Sequence, residues 1–305
     1  MKSLKLITSK VGSSSGLLHQ ITEEEKNKLQ QVLLGMLLDI KAACDKMGVT
    51  FTLMGGSALG AVRHKGFIPW DDDIDIAMFR SEWEKFKEGF DTYMGDKYVL
   101  EAPNYQGKDT KYPLAKIFLK GSEFAEAEEL NFPYHNCIFI DAFVIDNVSD
   151  NTLIRNVDAV LSDIMRVAAT CMNEYRYPND LIKKIMNSTL QTHIYYNIRR
   201  SIGFCLSWIS HRIWCNWFDN YISRHPNHTK LTTVATGHKR YRGETIRRDI
   251  WLPFSKGVFC GVEFNLPHKV HEYLTEIYGS DYMKLPPFEK RELHPIAKLS
   301  FPKNI

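Results

Sequence analysis

The chain has 305 residues, 44% of them apolar and 25% charged, and a formal net charge of +3. So small a balance gives no global argument for a nucleic-acid binder; no nucleic-acid partner is expected, and any anionic ligand must be met by a local cluster of cations. The six cysteines form no C-x-x-C pair, the first twenty residues hold no signal-peptide core, and no later stretch is long and apolar enough to span a membrane; a reduced, cytoplasmic setting is expected.

A Ser/Gly-rich start, expected to be mobile, precedes Thr22 and Glu25, which form a T-x-x-E capping box. Leu29, Val32, Leu33, Met36, Leu37 and Ile40 then recur at helical spacing until Gly48 offers a stop. Val49 to Met54 reads as a strand entering a tight Gly55-Gly56 turn, and Ser57 to His64 as a short helix. Phe67 to Trp70 is a loop and Asp73 to Phe79 a second strand. Ser81 with Glu84 predicts another capping box, opening a helix that buries Trp83, Phe86 and Phe90. Tyr98 to Ala102, Leu114 to Leu119 and Cys137 to Ile145 read as further strands, the last nearly continuous in apolar residues except for Asp141.

From about Asn151 to His225 the pattern turns mainly helical. Trp208, Trp214 and Trp217 lie there among Arg199, Arg200, Arg212 and Arg224, a mixture that suits a helix resting on a membrane or a packed helix with solvated arginines. The expected division is a core over residues 1–150 including the N-terminal helix, a mainly helical region over 151–230, and a segment over 231–305 that packs back on the core.

The chemistry concentrates between Gly55 and Met78. Gly55, Gly56 and Ser57 join a strand to a helix N-terminus, where close backbone approach, free N–H groups and a hydroxyl favour phosphate. Asp71, Asp73 and Asp75 alternate along an extended stretch, so their carboxylates are expected on one face, able to converge on hard cations such as Mg²⁺ or Mn²⁺. Asp72 is expected to point the other way and serve as a turn or cap. Asp141 is the candidate fourth carboxylate, either completing the metal site or accepting a proton. Arg63, His64 and Lys116 are candidate phosphate contacts. An EF-hand fits Asp71, Asp73, Asp75 and Glu82 but places Ile76 where the loop needs glycine.

The whole stretch GGSALGAVRHKGFIPWDDDIDIAM resembles the signature of the LicD family, of the nucleotidyltransferase-fold superfamily and related to fukutin and fukutin-related protein. The superfamily pattern of a Gly-Ser turn followed by D-x-D is matched by Gly56-Ser57 and Asp73-Ile74-Asp75. The longer form is matched by Arg63, His64, Gly66, Pro69, Trp70, Asp71, Asp73 and Asp75. NCIFIDAFVID is similar to a second family segment, with Cys137 in place of its usual glycine and Val144 in place of proline, and keeps Asp141 in register. The resemblance implies an α+β fold, a nucleotidyltransferase-like mixed sheet flanked by helices with an additional helical region. It also implies an enzyme that moves a phospho-alcohol, most often phosphocholine, from a CDP-activated donor to a hydroxyl of a glycan or lipid-linked glycan in lipopolysaccharide, teichoic acid or capsule. In that reading Asp73, Asp75 and Asp141 are catalytic, Asp71 joins them around metal, and Gly55, Gly56, Ser57, Arg63, His64 and Lys116 bind substrate. Work at the inner face of a membrane, with peripheral contact, is expected. Nucleotidyl transfer from an NTP to a small molecule and an inactive nucleotide-binding module are the alternatives.

Overall fold

The computed structural model describes residues 18–19, 21–226, 228–287, 291 and 294–302; the Ser/Gly-rich start through residue 17 lies outside them. Helix α1 (Glu23–Met47) opens on the expected capping box, the Thr22 side chain accepting from the Glu25 N–H and the Glu25 carboxylate from the Thr22 N–H. Gly48 closes it in a left-handed conformation. Its apolar stripe, Leu29 to Cys44, is buried.

Strand β1 is shorter than the apolar run suggested, because only Thr52 and Leu53 find partners, on Ala77 and Ile76. Helix α2 (Gly55–Arg63) includes the glycines that were expected to precede it. Strand β2 (Asp75–Phe79) begins two residues later than expected, so Asp71 and Asp73 lie in its lead-in and only Asp75 joins the ladder. Helix α3 (Arg80–Met94) follows at once. Its N-cap is Phe79, which has no side-chain cap, so the Ser81–Glu84 capping box does not form: Ser81 already lies in the first turn. Trp83, Phe86 and Phe90 are buried as expected.

Strands β3 (Tyr98–Glu101), β4 (Ala115–Leu119), β5 (Glu123–Glu126) and β6 (Phe139–Asn147) follow. The main sheet runs β1-β2-β6-β4-β3, with β2 and β6 parallel and the other pairs antiparallel. It is the mixed sheet of an α+β fold. Strands β7 (Leu231–Thr233) and β8 (Ile246–Arg247) extend it from the far end of β6.

Between β6 and β7 stand α4 (Thr152–Arg176), α5 (Asp180–Met186), α6 (Leu190–Leu206) and α7 (His211–Ile222). The Trp/Arg segment is therefore two helices: the chain breaks after Leu206, and Ser210 caps α7 by accepting from Ile213 N–H. Arg199 is held on Glu174 and Arg224 on Asp158, whereas Arg212 stays exposed while bonding the Gly107 carbonyl, so the expected solvated row is met only in part. Arg80 joins the helices to the core by donating to Asp146 at 2.7 and 2.8 Å and to Asp219 on α7 at 2.9 Å.

The remaining chain returns to the core. The hairpin of β9 (Ser255–Phe259) and β10 (Val262–Leu266) is tied to β1 through Asn265, whose Nδ2 donates to Phe51 O and whose carbonyl accepts from Thr52 Oγ1. Helix α8 (Val270–Tyr278) puts Tyr273 beneath the Gly55 turn, and β11 (Ile296–Ser300) pairs with β5.

Candidate active site

Sheet register builds the site. Asp75 on β2 lies opposite Asp141 on β6, Asp141 opposite Lys116 on β4, and Lys116 opposite Glu101 on β3. Residues opposite one another share a face, so three neighbouring strands, each about 4.8 Å from the next, line up two carboxylates and an ammonium. Lys116 Nζ is 2.9 Å from Asp141 Oδ1 and 3.4 Å from the centre of the Phe139 ring. Lys116 is buried. It serves as counter-ion to Asp141 and not as the open phosphate contact expected of it.

The glycine turn closes on the aspartates from above. Gly55 has φ +53°, and a Cβ there would lie 2.6 Å from Asp75 Oδ2; a Cβ on Gly56 would lie 3.1 Å from Asp71 Oδ2. Glycine is needed at Gly55 both for its backbone angle and for the space that the Asp75 carboxylate fills. Asp75 N–H donates to Ser57 Oγ at 2.9 Å, so the hydroxyl expected to face phosphate fastens the turn to the first residue of β2. Gly55 N–H donates to the buried Tyr273 Oη at 3.0 Å.

Asp73 stands close enough to act on both Asp71 and Asp75, and Asp141 on Asp75. Burial, reinforced by the charges of Asp73 and Asp72, pushes the Asp71 carboxyl up to about 8. Burial, with Asp73, Asp141 and Asp71 nearby, holds Asp75 well above the usual carboxylate range. Protonation is one way to relieve such crowding, and a divalent cation on oxygen ligands is another, so this donor set fits a hard metal.

Sequence reasoning missed His294. Its Nδ1 is 2.5 Å from Asp72 Oδ1, and its Nε2 is 3.7 Å from both Asp73 Oδ2 and Glu126 Oε1. Asp72, expected to act only as a turn or cap, is instead buried against this imidazole. Among the described residues Asp72, Asp73 and His294 offer ligand atoms within 4.8 Å of one another. No local spacing announces His294, since β11 delivers it from more than two hundred residues away by pairing with β5.

The basic loop is arranged differently from the expectation too. Arg63 Nη1 donates to the carbonyls of Tyr282 at 2.7 Å and Lys284 at 3.2 Å, pinning the C-terminal segment. Arg63 Nε reaches His64 Nδ1 at 3.4 Å, and burial together with the Arg63 charge lowers the His64 pKa, favouring a neutral imidazole. Trp70 carries the Arg291 guanidinium 4.2 Å above its ring, which gives this tryptophan a cationic cover beside the aspartates.

Residues 48–154 match the family model for LicD/FKTN/FKRP, nucleotidyltransferase domain. Over 274 residues the chain is 27% identical to the lipopolysaccharide cholinephosphotransferase LicD of Haemophilus influenzae, covering 88% of this chain and 95% of that protein. A segment of 70 residues is 31% identical to an uncharacterized protein of Rickettsia typhi, covering 23% of this chain and 21% of that one. The resemblance to the LicD family drawn from the motifs is thereby borne out.

Proposed function

We propose that this protein is a phosphotransferase that moves phosphocholine from a CDP-activated donor to a hydroxyl of a cell-surface or lipid-linked glycan. The observation that carries the reading is the convergence of Asp71 and Asp75 on the Gly55-Gly56 turn, with Asp141 in register beside Asp75. This puts carboxylates and free helix N–H groups at one place, as a diphosphate with its metal needs. The likeness to a lipopolysaccharide cholinephosphotransferase along most of both chains supports the alcohol and the acceptor class.

Asp71, Asp73, Asp75 and Asp141 would hold Mg²⁺ or Mn²⁺, which when bound neutralises charge on the donor diphosphate and the departing CMP. The protein's own groups do the rest. The α2 N-terminus beyond Gly55, whose own N–H is held by Tyr273, receives phosphate oxygens. Lys116 fixes the Asp141 carboxylate, and the acceptor hydroxyl, placed in line with the phosphorus bearing choline, gives its proton to a carboxylate of this set. His294 orients Asp72 and faces Asp73, and so steadies the edge of the site nearest β11. Location at the inner face of the membrane follows from a cytoplasmic CDP donor and a lipid-linked acceptor.

The test is CMP release with CDP-choline, CDP-ethanolamine, CDP-glycerol and CDP-ribitol, each with Mg²⁺ and a glycan acceptor. CDP-choline is expected to turn over, and Asp73→Asn to lower its turnover by about a thousandfold, roughly 4 kcal/mol of transition-state stabilisation. Pyrophosphate release from an NTP with no CMP from any CDP-alcohol would replace this reading with nucleotidyl transfer. Normal turnover by folded Asp73→Asn would remove the metal assignment.

A further inference from the structure

The helical region leaves apolar side chains outside. Leu153, Val157, Val160, Leu161 and Ile164 are exposed in a stripe along the first half of α4, Leu153 at 77%. Leu190, Ile194, Ile198 and Ile202 form a second exposed stripe along α6, whose face bounds an open apolar depression of about 610 Å³ with Ser201, Cys205 and Leu206. Isolated exposed apolar residues need no explanation, but two helices with continuous stripes do.

Both stripes look to the same side. Cys171 and Tyr175 follow Ile164 by seven and eleven residues, so helical periodicity puts them on the face that bears the α4 stripe. Gly203 of α6 is seated there, so close that a Cβ would lie 2.2 Å from Cys171 O and 2.7 Å from Tyr175 Cβ. Helix α6 therefore covers the second half of that face and leaves the first half open beside it. Ile194 is nine residues before Gly203, half a turn out of phase, so the α6 stripe turns away from α4 in the direction that the α4 stripe faces.

Charge says what such a face would meet. Residues 151–226 hold nine lysines and arginines against five aspartates and glutamates, a balance of +4 in a chain whose total is +3, so the rest carries −1. Four of the five acids are paired within the protein: Asp158 with Arg224 and His225, Asp163 with Arg166, Glu174 with Arg199, and Asp219 with Arg80. Lys183 and Lys184 remain exposed on α5, immediately before the α6 stripe. Trp208, 79% exposed, stands in the turn after it. The arginines along the two stripes, Arg155, Arg166, Arg199 and Arg200, are part-buried, so the free positive charge beside them is that of Lys183 and Lys184; the stripes of a second copy offer these lysines no acid, whereas anionic headgroups neutralise them while the stripes enter the acyl boundary.

We propose that the outer face of α4 and α6 docks on the surface of an anionic lipid bilayer, making this a peripheral membrane protein through these helices and not through Trp214 and Trp217. Those two rings pack on each other, their centres 5.3 Å apart. The apolar stripes and their charge carry the proposal without the transferase reading.

The full chain is centrifuged with vesicles of phosphatidylcholine mixed with phosphatidylglycerol and with vesicles of phosphatidylcholine alone. It is expected to sediment with the mixed vesicles, less so as salt rises. Ile194→Glu/Ile198→Glu is expected to lower that partition by at least ~tenfold, because two aliphatic groups lose their burial in lipid. CMP release from a soluble donor should be unchanged in this variant, so a failure to bind vesicles is told apart from a failure of the transferase. Wild-type protein left in the supernatant with anionic vesicles would overturn the proposal. So would a solution dimer that the double variant dissociates while vesicle binding stays intact, because the stripes would then be a protein interface.

Discussion

The sheet core and the helical region treat charge and apolar surface in opposite ways. In the core the apolar side chains of α1, α3 and the sheet are buried, and acid is left crowded at one end, where Asp71 and Asp75 are pushed toward protonation by burial and by each other. In the helical region the buried acids have cations beside them: Asp158 is held below the usual carboxylate range because bonds from His225, Tyr221 and Arg224 outweigh burial, and Glu174, which burial raises, is paired with Arg199. There it is the apolar side chains that are left outside. A buried group without its counterpart marks a ligand in the first case, and an exposed apolar stripe marks a surface in the second. The family match ends at residue 154, where the change of character begins.

The comparison breaks most visibly where the two regions are joined. Arg80 is the shared partner of Asp146 from the sheet and Asp219 from α7, and its removal strands two buried carboxylates. Arg80→Ala should cost about 3–5 kcal/mol in denaturant unfolding. It should also give separate transitions for core and helices. A single transition with unchanged midpoint would mean that apolar packing alone unites them.

A second measurement asks whether acid strain belongs to the core as a whole. Glu244 is buried behind the site; Lys239 N–H donates to one carboxylate oxygen, the other has no hydrogen-bond partner among the described residues, and burial pushes the carboxyl up to about 7. Because the folded pKa exceeds the unfolded one, the folded state holds a proton that the unfolded state has lost. Stability contributed at this position therefore falls as pH rises from about 4.5 to about 7, by on the order of 3 kcal/mol, and is level above that. Glu244→Gln should remove this slope and be the more stable protein at pH 8. Parallel stability profiles for the two proteins would show that Glu244 is better solvated than its surroundings imply.

Much of the core was legible because its signals are local. The Thr22–Glu25 box, the stripe from Leu29 to Cys44 and the buried Trp83, Phe86 and Phe90 need only nearest neighbours along a helix. Asp141 stood out as a lone charge in an apolar run, and the ladder sets it opposite Asp75. What stayed hidden depends on pairing between distant segments. His294 reaches Asp72 only because β11 joins β5, Lys116 is consumed by Asp141 only because β4 joins β6, and Arg63 is drawn to the Tyr282 and Lys284 carbonyls. Arg199 and Arg224 of the helical region read as solvated for the same reason, since their acids lie on another helix.

The smallest expected effect falls inside the site itself. Tyr273 contributes its ring to the core, 4.9 Å from that of Trp251, and its hydroxyl accepts the Gly55 N–H. Tyr273→Phe keeps the ring and removes the acceptor, leaving a buried donor unsatisfied beside the left-handed Gly55, at a cost of about 1–2 kcal/mol. Because Gly55 abuts the Asp75 carboxylate, a shift of this turn moves a proposed metal ligand as well as a phosphate-binding backbone. Turnover should therefore fall roughly tenfold and the Mg²⁺ concentration needed for half-maximal rate should rise, while vesicle binding is unaffected. A variant that loses stability but keeps its metal dependence would confine Tyr273 to packing. One that loses vesicle binding would show that the crowded end of the sheet and the outer helical face are not the independent devices their opposite chemistry implies.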